Sequence, residues 1–195
     1  MALALLAVSV TAAVAMTPDD FSDQYKRNML AAYHSRPAGQ TAIPEDRRLV
    51  PETPIGQAAP GLTLAMIEKY QKRNANGNFD FEVMDLYYSG QDPESAAVMK
   101  GQGVETVGQI VKDTAAGEPG RWRVFVLQMT CCAADSRPYS VPVVFTGAVP
   151  DLQEMGWYKL TGKLDYTEER GVQVALLRVA EAQPTLRPKD QRTLF

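Results

Sequence analysis

From Gly101 to Val179 the chain is patterned for β structure almost without interruption, and two of its strands carry a glycine in the middle. Val104–Lys112 reads as a first strand with Gly108 inside it, and Trp157–Leu164 as a fourth with Gly162 inside it. A glycine there weakens a flat strand but suits a place where a small sheet bends or bulges. Between them, Thr114–Gly120 is a turn and Trp122–Thr130 a second strand, with Phe125, Leu127 and Met129 on one face and Trp122, Val124 and Val126 on the other. Tyr139–Phe145 is a third strand whose Pro142 suits an edge or a corner. Asp151–Met155 reads as a short helical connection, Val172–Val179 as the fifth strand, and Glu168–Gly171 as the hairpin turn before it. Three strands, a short helix and two strands is the plan of a five-stranded OB-like Greek-key barrel, expected over 101–184, with 185–195 a polar tail. The fold class is mainly β with a few helices.

The first hundred residues are organised differently. Met1–Met16 is apolar apart from Ser9 and Thr11. As a helix it would reach about 24 Å at ~1.5 Å per residue, short of the ~30 Å bilayer core. Ala13-Val14-Ala15 suits a signal-peptidase site, but the usual basic start is missing. A membrane anchor or its remnant, a cleaved signal and a soluble helix therefore stay open. The first two place the remainder outside the cytoplasm, membrane-anchored or secreted.

Residues 17–60 read as a helix followed by a linker. Thr17 and Pro18 mark the helix start, and Pro37, Pro44, Pro51, Pro54 and Pro60 exclude both helix and internal strand after about Tyr33. Residues 61–100 form a small α/β lead-in. Leu62–Lys72 has helical spacing and Asn74–Asn78 ends it, Phe79–Tyr88 starts as a strand, and Asp92-Pro93 opens a helix to Met99.

Charge narrows the function classes. A net charge of −3 and an isoelectric point near 5.3 argue against a sequence-independent nucleic-acid binder, which needs a clustered basic surface. His34 is the single histidine, so a His-rich metal site and a His-based triad in the folded region are ruled out. The chain carries no Gly-rich phosphate loop and no HExxH or GxSxG element, and it reads as non-enzymatic.

Reactive side chains concentrate in Met129–Pro138, MTCCAADSRP, which holds both cysteines. Cys131, Cys132 and Asp135 would offer soft and hard ligands suited to zinc or copper. Neighbours on a regular strand point to opposite faces, so the chain would have to turn for both thiols to reach one ion. A fourth ligand would come from His34, Asp113, Asp165 or a partner protein. A disulfide between the neighbours is a second reading, through a strained ring. The third has the cysteines as small apolar fillers of a bend, with Asp135 fixing the turn by accepting backbone N–H bonds.

The strings Val104–Ile110, VLQMTCCAADSRPYSVPV (Val126–Val143) and WYKLTGKL (Trp157–Leu164) together resemble the YcgQ-like family of two-component permease subunits. The resemblance runs from about Asn78 to Pro184, and its most specific part is CCAAD followed closely by Pro138. It implies one or two N-terminal membrane helices, an extracytoplasmic OB-like domain, a polytopic permease as partner and a part in metal-ion handling. The expectation is thus a membrane-associated accessory subunit. The alternative is an independent thiol-based metal-binding or redox carrier.

Three weaker features complete the reading. Trp122, Tyr139, Trp157 and Tyr158 could stack nucleic-acid bases, but aromatics in strands are more often core. Asp80, Glu82 and Asp85 alternate as on a solvent-facing strand edge. Glu168-Glu169-Arg170 reads as a solvated turn, and His34 as a solvated linker residue.

Overall fold

The computed structural model describes residues 23–35, 61–113, 121–128 and 136–188. The described helices are α1 (Asp23–His34), α2 (Leu64–Tyr70), α3 (Val83–Gln91) and α4 (Pro93–Met99). The strands are β1 (Phe79–Asp80), β2 (Gly103–Lys112), β3 (Trp122–Gln128), β4 (Arg137–Phe145), β5 (Trp157–Glu169) and β6 (Val172–Pro184). The protein is mainly β, with one six-stranded mixed sheet in the order β1-β2-β3-β4-β6-β5. No described helix is long and apolar enough to cross a membrane, α1 included. The apolar segment 1–16 and most of the proline-rich segment lie outside the described residues.

β2 serves two partners along its length. Gly103–Gln109 pair with β5, and Gln109–Lys112 pair with β3. Gly108 stands just before the change of partner, where a Cβ would come within 2.6 Å of a Val124 methyl and 3.1 Å of the Phe125 carbonyl. Gly162 marks the register shift between β5 and β6, and a Cβ there would meet the Arg178 carbonyl oxygen at 2.2 Å. Both glycines therefore allow a close approach that the bending sheet requires.

Local chemistry explains most of the element ends. The Asp92 carboxylate accepts the Glu94 amide at 3.1 Å and Pro93 takes the first helical position, which starts α4. Asp85 accepts the Glu82 amide at 2.9 Å, so this pair pins the start of α3 rather than lining a solvent-facing strand edge. Arg170 and Gly171 both have positive φ (54° and 76°), the geometry of a two-residue hairpin turn between β5 and β6.

Three expectations need correction. Asp151–Met155 is a turn, not a helix: Met155 has φ 65° and its amide donates to the Ile110 carbonyl at 2.7 Å. A sixth strand, the two-residue β1, pairs in parallel with β2 through Phe79–Val104 and Asp80–Glu105. β5 and β6 are longer than expected, and β6 runs to Pro184 opposite Tyr158.

The main core lies on one face of the sheet. Phe79, Leu86, Val104, Val124, Leu160, Leu164 and Leu177 are completely buried there, with Trp122 and Tyr158 beside them. α3 presses onto this layer so closely that a Cβ on Gly90 would meet the Ala175 amide nitrogen at 2.4 Å.

Candidate functional site

The alternation of β3 assigns its two faces. Trp122, Val124 and Val126 enter the main core, while Phe125 turns to the opposite face. That second face holds a much smaller apolar cluster, Leu30 of α1 with Phe125 and Met155, flanked by Val111 and Leu127. α1 therefore covers the back of the sheet with a single buried leucine at its centre. Polar groups supply the rest of the attachment.

Arg123, the second residue of β3, is buried at 6% exposure and shares this back face by alternation. Its Nη1 donates to Asp113 Oδ2 at 2.9 Å and its Nη2 to Glu169 Oε2 at 3.1 Å. Arg121 reaches the same two carboxylates, through a short contact to Glu169 Oε1 and at 3.5 Å to Asp113. Two guanidinium groups thus face two carboxylates in a nearly dry setting, each charge compensated. Three chain segments meet here: the residue after β2 is Asp113, β3 gives Arg123, and the end of β5 gives Glu169 with Arg170 in the turn behind it. Glu169 is therefore no solvated turn residue; the tight turn aims it inward.

His34 completes the constellation. It is the last residue of α1 and lies half-buried, with Nε2 3.0 Å from Ser140 Oγ on β4. Arg123 Nε donates to the same oxygen at 3.4 Å, which leaves the hydroxyl its own proton and a second lone pair for the imidazole, the direction of that bond following the ring's tautomer. Burial first, and the Arg123 charge second, lower the His34 pKa from 6.5 to about 4. At neutral pH the ring is uncharged and a weak proton acceptor. The bond joins the last residue of α1 to β4 and so holds the two elements together. His34 is not a solvated linker residue, and the sole histidine does meet a serine in the folded body.

Tyrosines extend the attachment. Tyr33 and Tyr87 share a hydroxyl–hydroxyl bond of 2.7 Å, and Tyr88 donates to Tyr139 at 3.1 Å. Burial and then the Tyr33 bond raise the Tyr87 hydroxyl well above its ordinary range; burial and then Tyr139 do the same for Tyr88. At the other end of α1, Arg27 pairs with Glu154 at 2.7 Å. A cavity of about 100 Å³ remains between α1, α3 and the β5–β6 turn, lined among others by Tyr33, His34, Tyr87, Ser140 and Glu169.

Cys131, Cys132 and Asp135 lie outside the described residues. What is described is the pairing that brackets them: Gln128 of β3 sits opposite Arg137 of β4. The three residues considered as a fourth ligand all have other partners. His34 bonds Ser140, Asp113 holds Arg123, and Asp165 pairs with Arg178 at 2.7 Å and Lys100 at 3.4 Å. Among the described residues no group of three His, Cys, Asp or Glu side chains converges to hold a metal ion. Of the aromatic candidates, Trp122 and Tyr158 are buried in the main core and Trp157 is half-buried against it, so they form no exposed platform.

The buried charge cluster escaped sequence reasoning, although one signal was present. Arg123 stands between Trp122 and Val124 in a strand whose two faces are both apolar, and a charge so placed needs acidic partners. Which acids supply them depends on tertiary folding, since Glu169 lies 46 positions away.

The fold and this cluster define a class of protein: a small, mainly β domain with a helix strapped by polar bonds across the back of its sheet. Residues 83–192 match the DUF1980 C-terminal domain, more than half of the chain, and the protein belongs to that family. No curated protein is significantly similar to it. Among solved structures, a DUF3299 family protein from Pseudomonas aeruginosa aligns at 13% identity and a TM-score of 0.35, covering 67% of this chain and 87% of its own. So distant a likeness carries neither fold nor function.

Proposed function

We propose that this protein is a non-enzymatic, membrane-associated accessory subunit of a polytopic permease, with an OB-like body outside the cytoplasm. The pairing of β2 with β5 supports the OB-like reading, because it joins the second strand of the sheet order to the last and so curls the sheet on itself. The motif strings that resemble the YcgQ-like permease subunits support the partner, and the apolar segment 1–16 supports the membrane association.

One observation carries the proposal furthest: α1 is fastened to the sheet through Arg27–Glu154, Tyr33–Tyr87 and His34–Ser140. Met16 and Asp23 are joined by seven residue steps, which span at most about 25 Å even when fully extended. With Met1–Met16 in a bilayer, the β body therefore stays within that distance of the membrane surface. The proline-rich segment follows α1 in the chain and so adds nothing to this distance. Such a placement suits a subunit that works against a membrane partner. The CCAAD motif, which the Gln128–Arg137 pair brackets in the sequence, is the segment we assign to that contact.

A photocrosslinking side chain at Ser136, in membranes from cells co-expressing the adjacent permease, tests this. The expected result is a covalent adduct with the permease, lost when the permease gene is deleted. A chain recovered wholly in the soluble fraction, with a native mass excess of one zinc ion and both thiols protected until chelation, would replace the proposal with the thiol-based metal carrier.

A further inference from the structure

The contact between α1 and the back of the sheet has an unusual make-up. Its apolar part is Leu30 against Phe125 and Met155, and its far end is closed by His34 on Ser140 beside a buried arginine. We infer that His34 is an acid-sensitive latch: docked α1 accommodates only the neutral imidazole, and protonation releases the helix from the sheet while the sheet stays folded.

The surroundings of the ring decide the sign. From β3 it faces Arg123 and from the β5–β6 turn Arg170, both of which oppose a positive imidazole. Asp113 at the end of β2 and Glu169 on β5 favour one, but Arg123 and Arg121 already engage both carboxylates. From α1 and α3 the neighbours are Tyr33 and Tyr87, whose hydroxyls are bonded to each other. A protonated ring could only donate to Ser140, whose oxygen already accepts from Arg123, so two cationic groups would share one hydroxyl. Leaving the sheet returns His34 to water, where its ordinary pKa of 6.5 applies.

The undocked helix therefore takes up a proton that the docked helix refuses. Docking is complete above the free value and weakens as pH falls from there toward the docked value of about 4. Between pH 7.5 and pH 5 this linkage lowers the docking constant roughly thirtyfold. Release would uncover Phe125 and Met155, the apolar residues that α1 shields.

Hydrogen exchange on the full chain in detergent micelles, expressed as protection factors to remove the intrinsic pH effect, reads the latch directly. Protection of Asp23–His34 is expected to fall roughly thirtyfold from pH 7.5 to 5, while β2–β6 stay unchanged. His34→Gln, which keeps a hydrogen-bonding group without a titration, is expected to hold α1 protection flat. Equal loss in wild type and H34Q, or loss of helix and strands together, would overturn the latch. Should H34Q fail to dock, the single histidine still gives an isolated NMR titration. A midpoint near 6.5 in the wild-type chain would also overturn the proposal.

Discussion

The two faces of the sheet are held by different physics. On the front, large side chains such as Phe79, Leu160 and Leu177 are sealed from water under α3 and α4, and the binding is apolar and insensitive to pH or salt. On the back, three fully buried apolar residues and a set of charged and hydroxyl groups hold α1. Polar attachment of this kind gains little net free energy per bond but is costly to leave half-made. The front face should therefore set global stability, and the back face should be where the molecule responds to solution conditions.

The largest effect tests whether the back face is truly dry. Arg123→Ala leaves the buried Asp113 carboxylate without its closest guanidinium and is expected to destabilise the fold by about 3–5 kcal/mol, read from urea midpoints. A loss below about 1 kcal/mol would mean that water reaches the cluster and the contrast between faces is weaker than drawn. The same substitution made once on each face sharpens the comparison. Leu160→Ala should cost about 2–5 kcal/mol of global stability. Leu30→Ala should strip exchange protection from α1 and leave the strand amides as they were. Equal global losses would show that α1 and the sheet unfold as one unit.

The smallest expected effect concerns an ion pair outside both faces. Arg178, foremost, and then the Tyr166 amide lower the Asp165 carboxyl below its ordinary range. The pair's stabilisation is then present above that ordinary value and fades as pH falls through the lowered one. Arg178 and Lys100, the cationic partners of Asp165, are exposed, so Asp165→Asn at pH 7 should change stability by only about 0–1 kcal/mol, less in high salt. A larger change would move Asp165 into the class of Arg123.

Features fixed by neighbouring residues were legible in the sequence. The two faces of β3, the Asp92 cap, the Glu168–Gly171 hairpin turn and the mid-strand glycines all follow from alternation, a carboxylate before a proline, or the need for close approach. Features that need two distant segments to meet were not. His34 looked solvated because its partner, Ser140, is 106 positions away. The Asp151–Met155 connection looked helical by composition. It is a turn because the Met155 backbone bonds β2: its amide reaches Ile110, and its carbonyl accepts the buried Gln109 side-chain amide at 2.7 Å. The strand start at Phe79 was legible from its alternation, but its parallel pairing with β2 was not, because the partner Val104 lies in a separate segment beyond two helices.

The divided strand β2 also dictates when the fold can assemble. The β5–β6 hairpin closes across a turn of two residues, so its ladder can zip up soon after it is synthesised. β2 must wait for Lys163 to meet Gly103, a loop of 60 positions, before half of its hydrogen bonds exist. During translation this strand leaves the ribosome with one edge unpaired until most of the domain has followed it. For that interval the nascent chain exposes a Val- and Ile-bearing edge, and chaperone capture or entry into aggregates would act on this one.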